Sequence, residues 1–490
     1  MWQICTKRTN FSYLGICFGW QLNLSRLTGF CRVRHLNWIL ILLILYGNLV
    51  ACAPVAGTQQ PAATPEQVIQ RGPTLKLLSL DDVQVRAGLD SLIELQRART
   101  AEDVGLITKW HAHPVLTWNE QARYWVAFYG MDPVIATRLY ALTSVAQQRA
   151  LDSFSSIAID HASRRPTQLD SAITPVEISS NPFESALLIG ATETVFISVL
   201  TDTEQEVHAM VEEARHSLLI SGNILPSDLQ AAQDFGRTVA DELIQQRKND
   251  GSADAKEFDP FPSGDGIWKP DPFRAKPEQP GWGKVTPWLM SSPDEFRAPT
   301  PPSYGSVAFR SALEEVRHQV ENNTQGEMAI AQKWADKRFS STPPGHWNSI
   351  AADLIQKYGL SDRDASHVFS TLNMAMMDAG IACWDTKYYY LVLRPWQVDS
   401  SIPSLVGYPN HPSYPSGHST FSSAAAEALD YFFPAERESL SQMVEEASIS
   451  RLYAGIHYRF DLDAGKNMGR QIGKLAGEFA ARQNWSTFVP

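Results

Sequence analysis

The spacing of apolar residues constrains this chain most: along most of the sequence after residue 75 they recur every three or four positions. Residues 135–145 and 207–219 are examples. This spacing puts apolar side chains on one face of a helix, and no stretch alternates polar and apolar residues for long enough to predict a sheet. We therefore predict an all-α fold of two packed helical-bundle halves.

The helical spacing breaks between residues 251 and 306, where eleven prolines accompany repeated aromatic residues. Proline lacks a backbone donor and interrupts helices and central strands. We expect an irregular strap across the surface, which either rims an active site or serves only as a cover. The strap separates an N-terminal helical region, residues 75–250, from a C-terminal helical domain, residues 307–490, where we expect the active site.

The first 51 residues have the order of an export signal. A basic stretch, residues 26–35, precedes an apolar run, residues 38–46, that is shorter than the roughly 20 residues of a transmembrane helix. Small residues before Cys52 resemble the bacterial lipoprotein signal, which predicts lipidation of this cysteine; an ordinary secretory signal with a chance cysteine is the alternative. We predict a signal peptide (1–51), a Pro/Ala/Thr-rich tether (52–74), and a periplasmic or cell-surface protein that reaches the membrane only through its lipid.

The charge balance argues against nucleic acid as a partner. The chain has 42 Lys and Arg against 53 Asp and Glu, a formal net charge of −11. A broad basic face is not expected, so any anion must be bound by a local cluster of cations.

Three short segments near the C-terminus predict such a cluster. The first contains Lys387 and Arg394, followed by Pro395. Seven helical residues span about 10 Å, so the two cations would project from the same face of one helix. Pro395 disfavours helix at the residue before it, which places Arg394 at a helix end.

The second segment, Tyr414-Pro-Ser-Gly-His418, leads into a helical stretch. Ser416 is a natural N-cap, and the Gly417 amide together with the helix dipole favours an anion at this helix start. His418 would lie beside that anion, where it can donate or accept a proton.

The third segment runs from Arg451 to Asp461. Arg451 and His457 would point in different directions on an unbroken helix, so we predict that Gly455 ends the helix and lets His457 turn back. Asp461, one helical turn further, would steady the imidazole. Outside these segments, Asp378 should be paired if it is buried, and Arg451 or another cation of the site is a candidate partner.

Together the segments read K-x(6)-R-P, P-S-G-H and S-R-x(5)-H-x(3)-D, in this order. This pattern resembles the signature shared by the type 2 phosphatidic acid phosphatase superfamily and the vanadium-dependent haloperoxidases, most closely their bacterial haloperoxidase-related branch. The lipid phosphatases span the membrane several times, whereas this chain has no apolar run of about 20 residues after its leader, which argues against that branch.

The resemblance implies a role for each matching residue. The oxygens of vanadate or phosphate would be held by Lys387, Arg394, Ser416, Gly417 and Arg451. His457 would bond to the central atom, as the ligand of vanadium or the nucleophile on phosphorus, and His418 would be the acid/base. Lys387 and Asp461 complete the predicted catalytic set.

The resemblance also implies a halide pocket, lined by Trp384, Pro409 and His411. Histidine at the last position favours bromide or iodide over chloride, although His411 could equally line the pocket with no role in halide choice.

A vanadate-dependent haloperoxidase is the function that the resemblance predicts, with vanadate as cofactor and with hydrogen peroxide, a halide and a small organic acceptor as reactants. Phosphate needs nearly the same ligands, so a soluble acid phosphatase that cleaves a phosphate ester through a phosphohistidine is the alternative. An oxyanion-binding lipoprotein without turnover is a third hypothesis. The sequence makes no prediction of the oligomeric state.

Overall fold

Helices make up nearly all the regular structure of this protein. The computed structural model describes residues 75–157, 159–200, 202–258, 260–271 and 276–489. These residues contain sixteen α-helices and no strand, apart from one isolated bridge between Ile267 and Val392, which confirms the predicted all-α fold. The predicted signal peptide, Cys52 and the tether lie outside the described residues.

The helices fall into a group before the strap and a group after it. The first group is α1 (Val83–Ala98), α2 (Ala101–His111), α3 (Pro114–Tyr129), α4 (Pro133–Ser155), α5 (Pro166–Leu169), α6 (Pro182–Val199), α7 (Glu204–Ser221) and α8 (Pro226–Arg247). The second group is α9 (Val307–Asn322), α10 (Gln325–Lys333), α11 (Thr342–Tyr358), α12 (Asp362–Tyr390), α13 (Pro395–Val398), α14 (Gly417–Phe432), α15 (Arg437–Tyr453) and α16 (Arg459–Arg482).

The described residues between α8 and α9 are irregular. Their only helical turns are two short 3-10 turns, Ser252–Asp254 and Trp282–Lys284. One hydrophobic core joins both groups of helices and includes Trp282 and Trp288 of the strap. The division of the chain at residues 250, 306 and 307 stays a prediction.

Helix α12 is almost wholly buried and carries Lys387 near its C-terminus. It ends at Tyr390, because Leu391 adopts a left-handed conformation with φ 52°. Arg394 therefore does not share a helix face with Lys387, and that prediction was wrong. Arg394 is instead the N-cap of α13, so its guanidinium comes from a helix start, immediately before the proline that begins the helix.

Glycines bring α16 against α14, the helix that begins at the predicted anion site. A Cβ atom on Gly465 would lie 2.7 Å from the carbonyl oxygen of Ser416, and one on Gly469 would lie 2.2 Å from that of Thr420. Both distances are below van der Waals contact, so only glycine permits this approach. The close packing brings α16, which carries Asp461, to the start of α14.

One helix among the described residues, Pro182–Val199, is long and apolar enough to cross a membrane. Of that stretch, 67% is buried inside the fold.

Candidate active site

A cavity of about 870 Å³ lies where the start of α14, the turn after α15 and the strap meet. Its lining includes eight of the residues predicted for the site: Trp384, Arg394, Pro409, His411, Gly417, His418, Arg451 and His457. Lys387, Ser416 and Asp461 are fully buried and do not line the cavity. The residues of the three sequence segments therefore converge on one place.

The Arg394 guanidinium is fully buried and reaches across the site. Its Nε donates to the carbonyl of His411 at 3.1 Å, and one terminal nitrogen donates to the carbonyl of Ile456 at 2.7 Å. The same nitrogen lies 3.0 Å from Nε2 of His457, and the other lies 3.1 Å from Nδ1 of His411. Burial lowers the pKa of Arg394 to about 10, which leaves it charged at neutral pH.

Arg451 enters the site from the last turn of α15 and is also fully buried. Gly455, with φ 72°, ends this helix as predicted: its N–H donates to Leu452, and the N–H of Ile456 donates to the carbonyl of Arg451. The Arg451 side chain donates to Ser450 Oγ at 2.9 Å and to the carbonyl of Ala331 at 3.1 Å.

Lys387 directs its ammonium group at three backbone carbonyls. Nζ donates to Pro412 and Ser413, each at 2.8 Å, and to Pro415. Three carbonyls match the three N–H donors of the protonated form, whereas burial lowers the pKa of Lys387 to about 7. In this structure Lys387 supports the 412–415 backbone that leads into α14.

The three buried cations lack a carboxylate partner in the described part of the chain. Among the described residues, no Asp or Glu oxygen lies within 4.0 Å of the side-chain nitrogens of Lys387, Arg394 or Arg451. A buried cation without a counter-ion is costly. An oxyanion in the cavity would neutralise Arg394 and Arg451 through short, charge-assisted hydrogen bonds, whereas Lys387, whose three N–H groups already donate to carbonyls, would act through its charge. The donors present therefore fit a tetrahedral oxyanion such as vanadate or phosphate.

The hydrogen-bond partners of His457 define which of its two ring nitrogens carries the proton. Asp461 Oδ2 lies 2.8 Å from Nδ1, and the guanidinium of Arg394 lies 3.0 Å from Nε2. Since an arginine can only donate, Nε2 must carry the lone pair and Nδ1 the proton. Burial and the nearby Arg394 hold the pKa of His457 well below its usual value. The imidazole is therefore neutral, with an unprotonated nitrogen at the cavity.

Asp461 is held by several donors at once. Its Oδ2 accepts from the Ser413 hydroxyl at 2.5 Å and from the backbone N–H of Tyr458 at 3.1 Å, in addition to His457. Burial raises the pKa of Asp461 to about 6. The carboxylate thus lies where the sequence predicted it, one turn beyond His457, and fixes the orientation of the ring.

The start of α14 has the predicted form. Ser416 is the N-cap, and its Oγ accepts the backbone N–H of Ser419 at 3.3 Å. Gly417 is the first helical residue and lines the cavity. Its small size and the helix dipole make this end of α14 suitable for an anion.

His418 occupies a different environment from His457. Its Nε2 lies 3.6 Å from Oδ2 of Asp336, and both atoms are buried without a hydrogen-bond partner in the described part of the chain. Burial lowers the pKa of His418 to about 4, and Arg451 contributes to this shift. The ring is therefore neutral at pH 7 and can accept a proton.

The three residues predicted for a halide pocket all line the cavity. The rings of Trp384 and His411 lie 4.9 Å apart between centroids, and burial holds the pKa of His411 well below its usual value. The strap covers this side: the carbonyl of Glu278 accepts from Trp384 Nε1 at 3.0 Å and from the Tyr388 hydroxyl at 2.9 Å. The role of these residues in halide binding stays a prediction.

Sequence reasoning missed several groups around the site. Asp336, in the loop after α10, faces His418 and lies 3.2 Å from Nδ1 of His346. Ser413 donates to Asp461, and Glu278 approaches His411 at 3.7 Å. Ser413 stands close to the P-S-G-H motif and could have been suspected, whereas nothing in the sequence marks Asp336 or Glu278 among other loop acids.

The prediction that Asp378 pairs with Arg451 or another cation of the site was wrong. Its carboxylate accepts the backbone N–H groups of Trp288 and Leu289 at 2.7 Å and of Met290 at 3.0 Å. Burial raises its pKa to about 6. Asp378 therefore ties the strap to α12 and takes no part in the cation cluster.

Comparison with solved structures reveals two similar bacterial enzymes. A vanadium-dependent iodoperoxidase superposes with a TM-score of 0.61 at 23% identity, over 74% of this chain and 94% of that one. A vanadium-dependent chloroperoxidase in its holo form superposes with a TM-score of 0.54 at 16% identity, over 72% and 93%. This chain has the vanadium haloperoxidase fold.

Sequence comparisons find similarity both to a haloperoxidase domain and to acid phosphatases. The family model "VCPO second helical-bundle domain" matches residues 367–402 and 434–485. A non-specific acid phosphatase of Providencia stuartii is 26% identical over 34% of this chain and 67% of its own length. One of Salmonella typhi is 28% identical over 26% of this chain and about half (51%) of its own length. The predicted resemblance to this superfamily is confirmed.

Proposed function

We propose that this protein is a vanadate-dependent haloperoxidase, which uses hydrogen peroxide to oxidise a halide, bromide or iodide in preference to chloride, to hypohalous acid. One observation carries the proposal: a neutral imidazole, His457, presents an unprotonated nitrogen to a cavity whose buried arginines, Arg394 and Arg451, have no carboxylate partner among the described residues. The likeness in fold to bacterial vanadium-dependent iodo- and chloroperoxidases supports a haloperoxidase, and the preference for bromide or iodide rests on His411.

The residues divide the binding of vanadate among them. Arg394, Arg451 and Lys387 would neutralise its charge, and the Ser416 hydroxyl and Gly417 amide would donate to its oxygens. Nε2 of His457 would bind the metal. When bound, vanadate supplies Lewis-acid activation of hydrogen peroxide.

The protein's own contribution is charge, orientation and proton transfer. A charged oxyanion is a better acceptor for Arg394 than the neutral Nε2 of His457. The guanidinium would therefore donate to the oxyanion instead of to Nε2, which frees the lone pair of Nε2. Asp461 keeps the proton on Nδ1 throughout. His418, neutral and within the same cavity, would take up and return a proton at Nε2.

Reconstitution tests this proposal directly. The purified protein is loaded with vanadate, and halogenation of a dimedone-type acceptor is followed with hydrogen peroxide and chloride, bromide or iodide in turn. We expect turnover with iodide and bromide, and none in a His457→Ala variant treated in the same way. No halogenation of the acceptor with any halide would refute the proposal.

An acid phosphatase is the second candidate, because the two sequence relatives named above are non-specific acid phosphatases. In this reaction His457 would attack phosphorus, His418 would protonate the leaving alcohol, and water would cleave the phosphohistidine. Hydrolysis of 1-naphthyl phosphate that vanadate inhibits, without halide oxidation, would favour this candidate.

We further propose that the protein acts outside the cytoplasm, on the order of basic and apolar residues before Cys52. Incorporation of labelled palmitate into the wild-type chain, and its absence from a Cys52→Ala variant, would support lipidation. Secretion of unlabelled protein would favour an ordinary signal peptide.

A further inference from the structure

Four exposed basic side chains line the cavity in a chain whose formal net charge is −11. They are Lys256 and Lys276 of the strap and Lys337 and Arg338 of the loop after α10, which we call the basic mouth. Among the described residues, none has an acidic oxygen within 4.0 Å. The contacts found for two of them are neutral: Lys337 donates to Gln332 at 3.3 Å, and Arg338 lies 5.3 Å from the Phe339 ring centroid.

The acids of the cavity lining do not cancel this charge. The described residues of the lining include six Lys and Arg against three Asp and Glu. The acids offset only part of the basic charge. Their hydrogen-bond contacts include those to Gln279 for Asp132 (2.8 Å), the backbone N–H of Asn410 for Glu278 (3.1 Å) and Nδ1 of His346 for Asp336 (3.2 Å), which leaves three more basic than acidic residues in the described lining. The basic mouth therefore attracts anions from solution.

The cavity is also larger than its inorganic reactants require. A volume of about 870 Å³ lies in the range of pockets that bind drug-sized organic molecules, whereas a halide and hydrogen peroxide are far smaller. Rings form much of the wall: Pro133, Pro343, Trp384, Tyr408, Pro409 and Phe421. Such a wall suits an apolar, flat body.

We propose that the cavity binds its organic acceptor as an aromatic carboxylate, with the apolar body against the ring-lined wall and the carboxylate at the basic mouth. The inference rests on the proposed function, since it names the class of acceptor that would be halogenated. It places that acceptor beside the deep oxyanion site and apart from Arg394 and Arg451.

Binding of 1-naphthoate and of its neutral counterpart 1-naphthamide tests the inference. Both are titrated into the full protein by calorimetry in the same, lowest concentration of inorganic phosphate that fills the deep oxyanion site, so that the carboxylate is kept away from that site while the ionic strength stays low. We expect naphthoate to bind about tenfold more tightly than naphthamide at low ionic strength and to lose this advantage in high salt.

Two double variants locate the site. Lys337→Gln/Arg338→Gln and, separately, Lys256→Gln/Lys276→Gln should each weaken naphthoate about three- to tenfold and leave naphthamide unchanged. The control Lys248→Gln/Lys474→Gln removes the same charge from exposed positions that do not line the cavity. It should leave naphthoate binding nearly unchanged.

Equal binding of naphthoate and naphthamide would overturn the inference, as would an equal loss in the control variant. The readout is binding, so it is independent of turnover. If naphthoate binds more tightly than naphthamide but no halide is oxidised, only the proposed function is refuted. If halide is oxidised but the two ligands bind equally, only this inference is refuted.

Discussion

The two histidines of the site have the same ring and opposite surroundings. His457 is held at both nitrogens, by Asp461 on one side and Arg394 on the other. His418 has an Nε2 with no hydrogen-bond partner among the described residues and faces Asp336 at 3.6 Å. The difference separates their chemistry: a ring locked in one tautomer suits bonding to a central atom, and a ring free to change its proton suits acid/base transfer.

The largest effect is expected from removing the locked ring. A His457→Ala variant should lose about 10³-fold or more of the halide-oxidation rate after reconstitution with vanadate, because His457 supplies the unprotonated nitrogen that would bond to the central atom. Steady-state rates with iodide measure this. A variant that keeps more than a tenth of the parent's rate would show that the central atom is bound elsewhere.

Removal of the free ring should affect rate more than binding. His418→Ala is expected to lower kcat about 10²-fold at neutral pH, while vanadate affinity changes less than about tenfold, because general acid/base catalysis acts in the transition state. Calorimetry and kinetics on the same preparation separate the two effects. Equal losses of kcat and affinity would contradict the assigned difference between the histidines.

The hold of Asp461 on the tautomer of His457 can be weakened without removing the ring. In Asp461→Asn an amide N–H₂ can face Nδ1, which favours the tautomer with its proton on Nε2. We expect oxyanion affinity to fall about 10- to 100-fold. Ser413→Ala is the matched control, because it removes a donor to the same carboxylate and keeps the charge; its effect should be smaller.

The affinity for the oxyanion should also depend on pH through Lys387. Burial lowers the pKa of Lys387 to about 7, so the ammonium is present below this pH and is lost as the pH rises through it. Phosphate affinity should therefore fall up to about tenfold per pH unit above 7. Subtracting the profile of a Lys387→Met variant removes the titration of phosphate itself; identical profiles would contradict the role of Lys387.

The smallest effect is expected at Asp336, beside the free ring. Its negative charge favours the protonated form of His418, so Asp336→Asn should lower the pKa of His418 further below about 4. The acid limb of the pH–rate profile should move to lower pH, with less than about a tenfold change at neutral pH. An acid limb that stays at the same pH would show that Asp336 does not affect proton transfer by His418.

Short-range chemistry made most of the site predictable. Ser416 as an N-cap, Gly455 as a helix end and Asp461 one turn from His457 follow from backbone preferences and helical spacing, which act within a few residues. The all-α fold follows from apolar spacing that recurs over many turns.

The failures have two causes, one local and one long-range. The spacing of Lys387 and Arg394 suggested one helix, but a left-handed Leu391 ends it early. The partners of Asp378 and His418 come from the strap and from the loop after α10, and no local pattern links them. Such pairings depend on tertiary packing, which a single sequence does not record.

The attachment of the strap has an evolutionary consequence. It is bound to α12 partly through side chains, such as Arg297 at Asp385, and partly through its own main chain, by the N–H groups of residues 288–290 at Asp378 and the carbonyl of Glu278 at Trp384. Side chains on a segment anchored in this way can be exchanged without loss of the main-chain bonds. Related proteins could therefore change the strap side chains that line the cavity, and with them the molecules that enter it, while the buried oxyanion site stays the same.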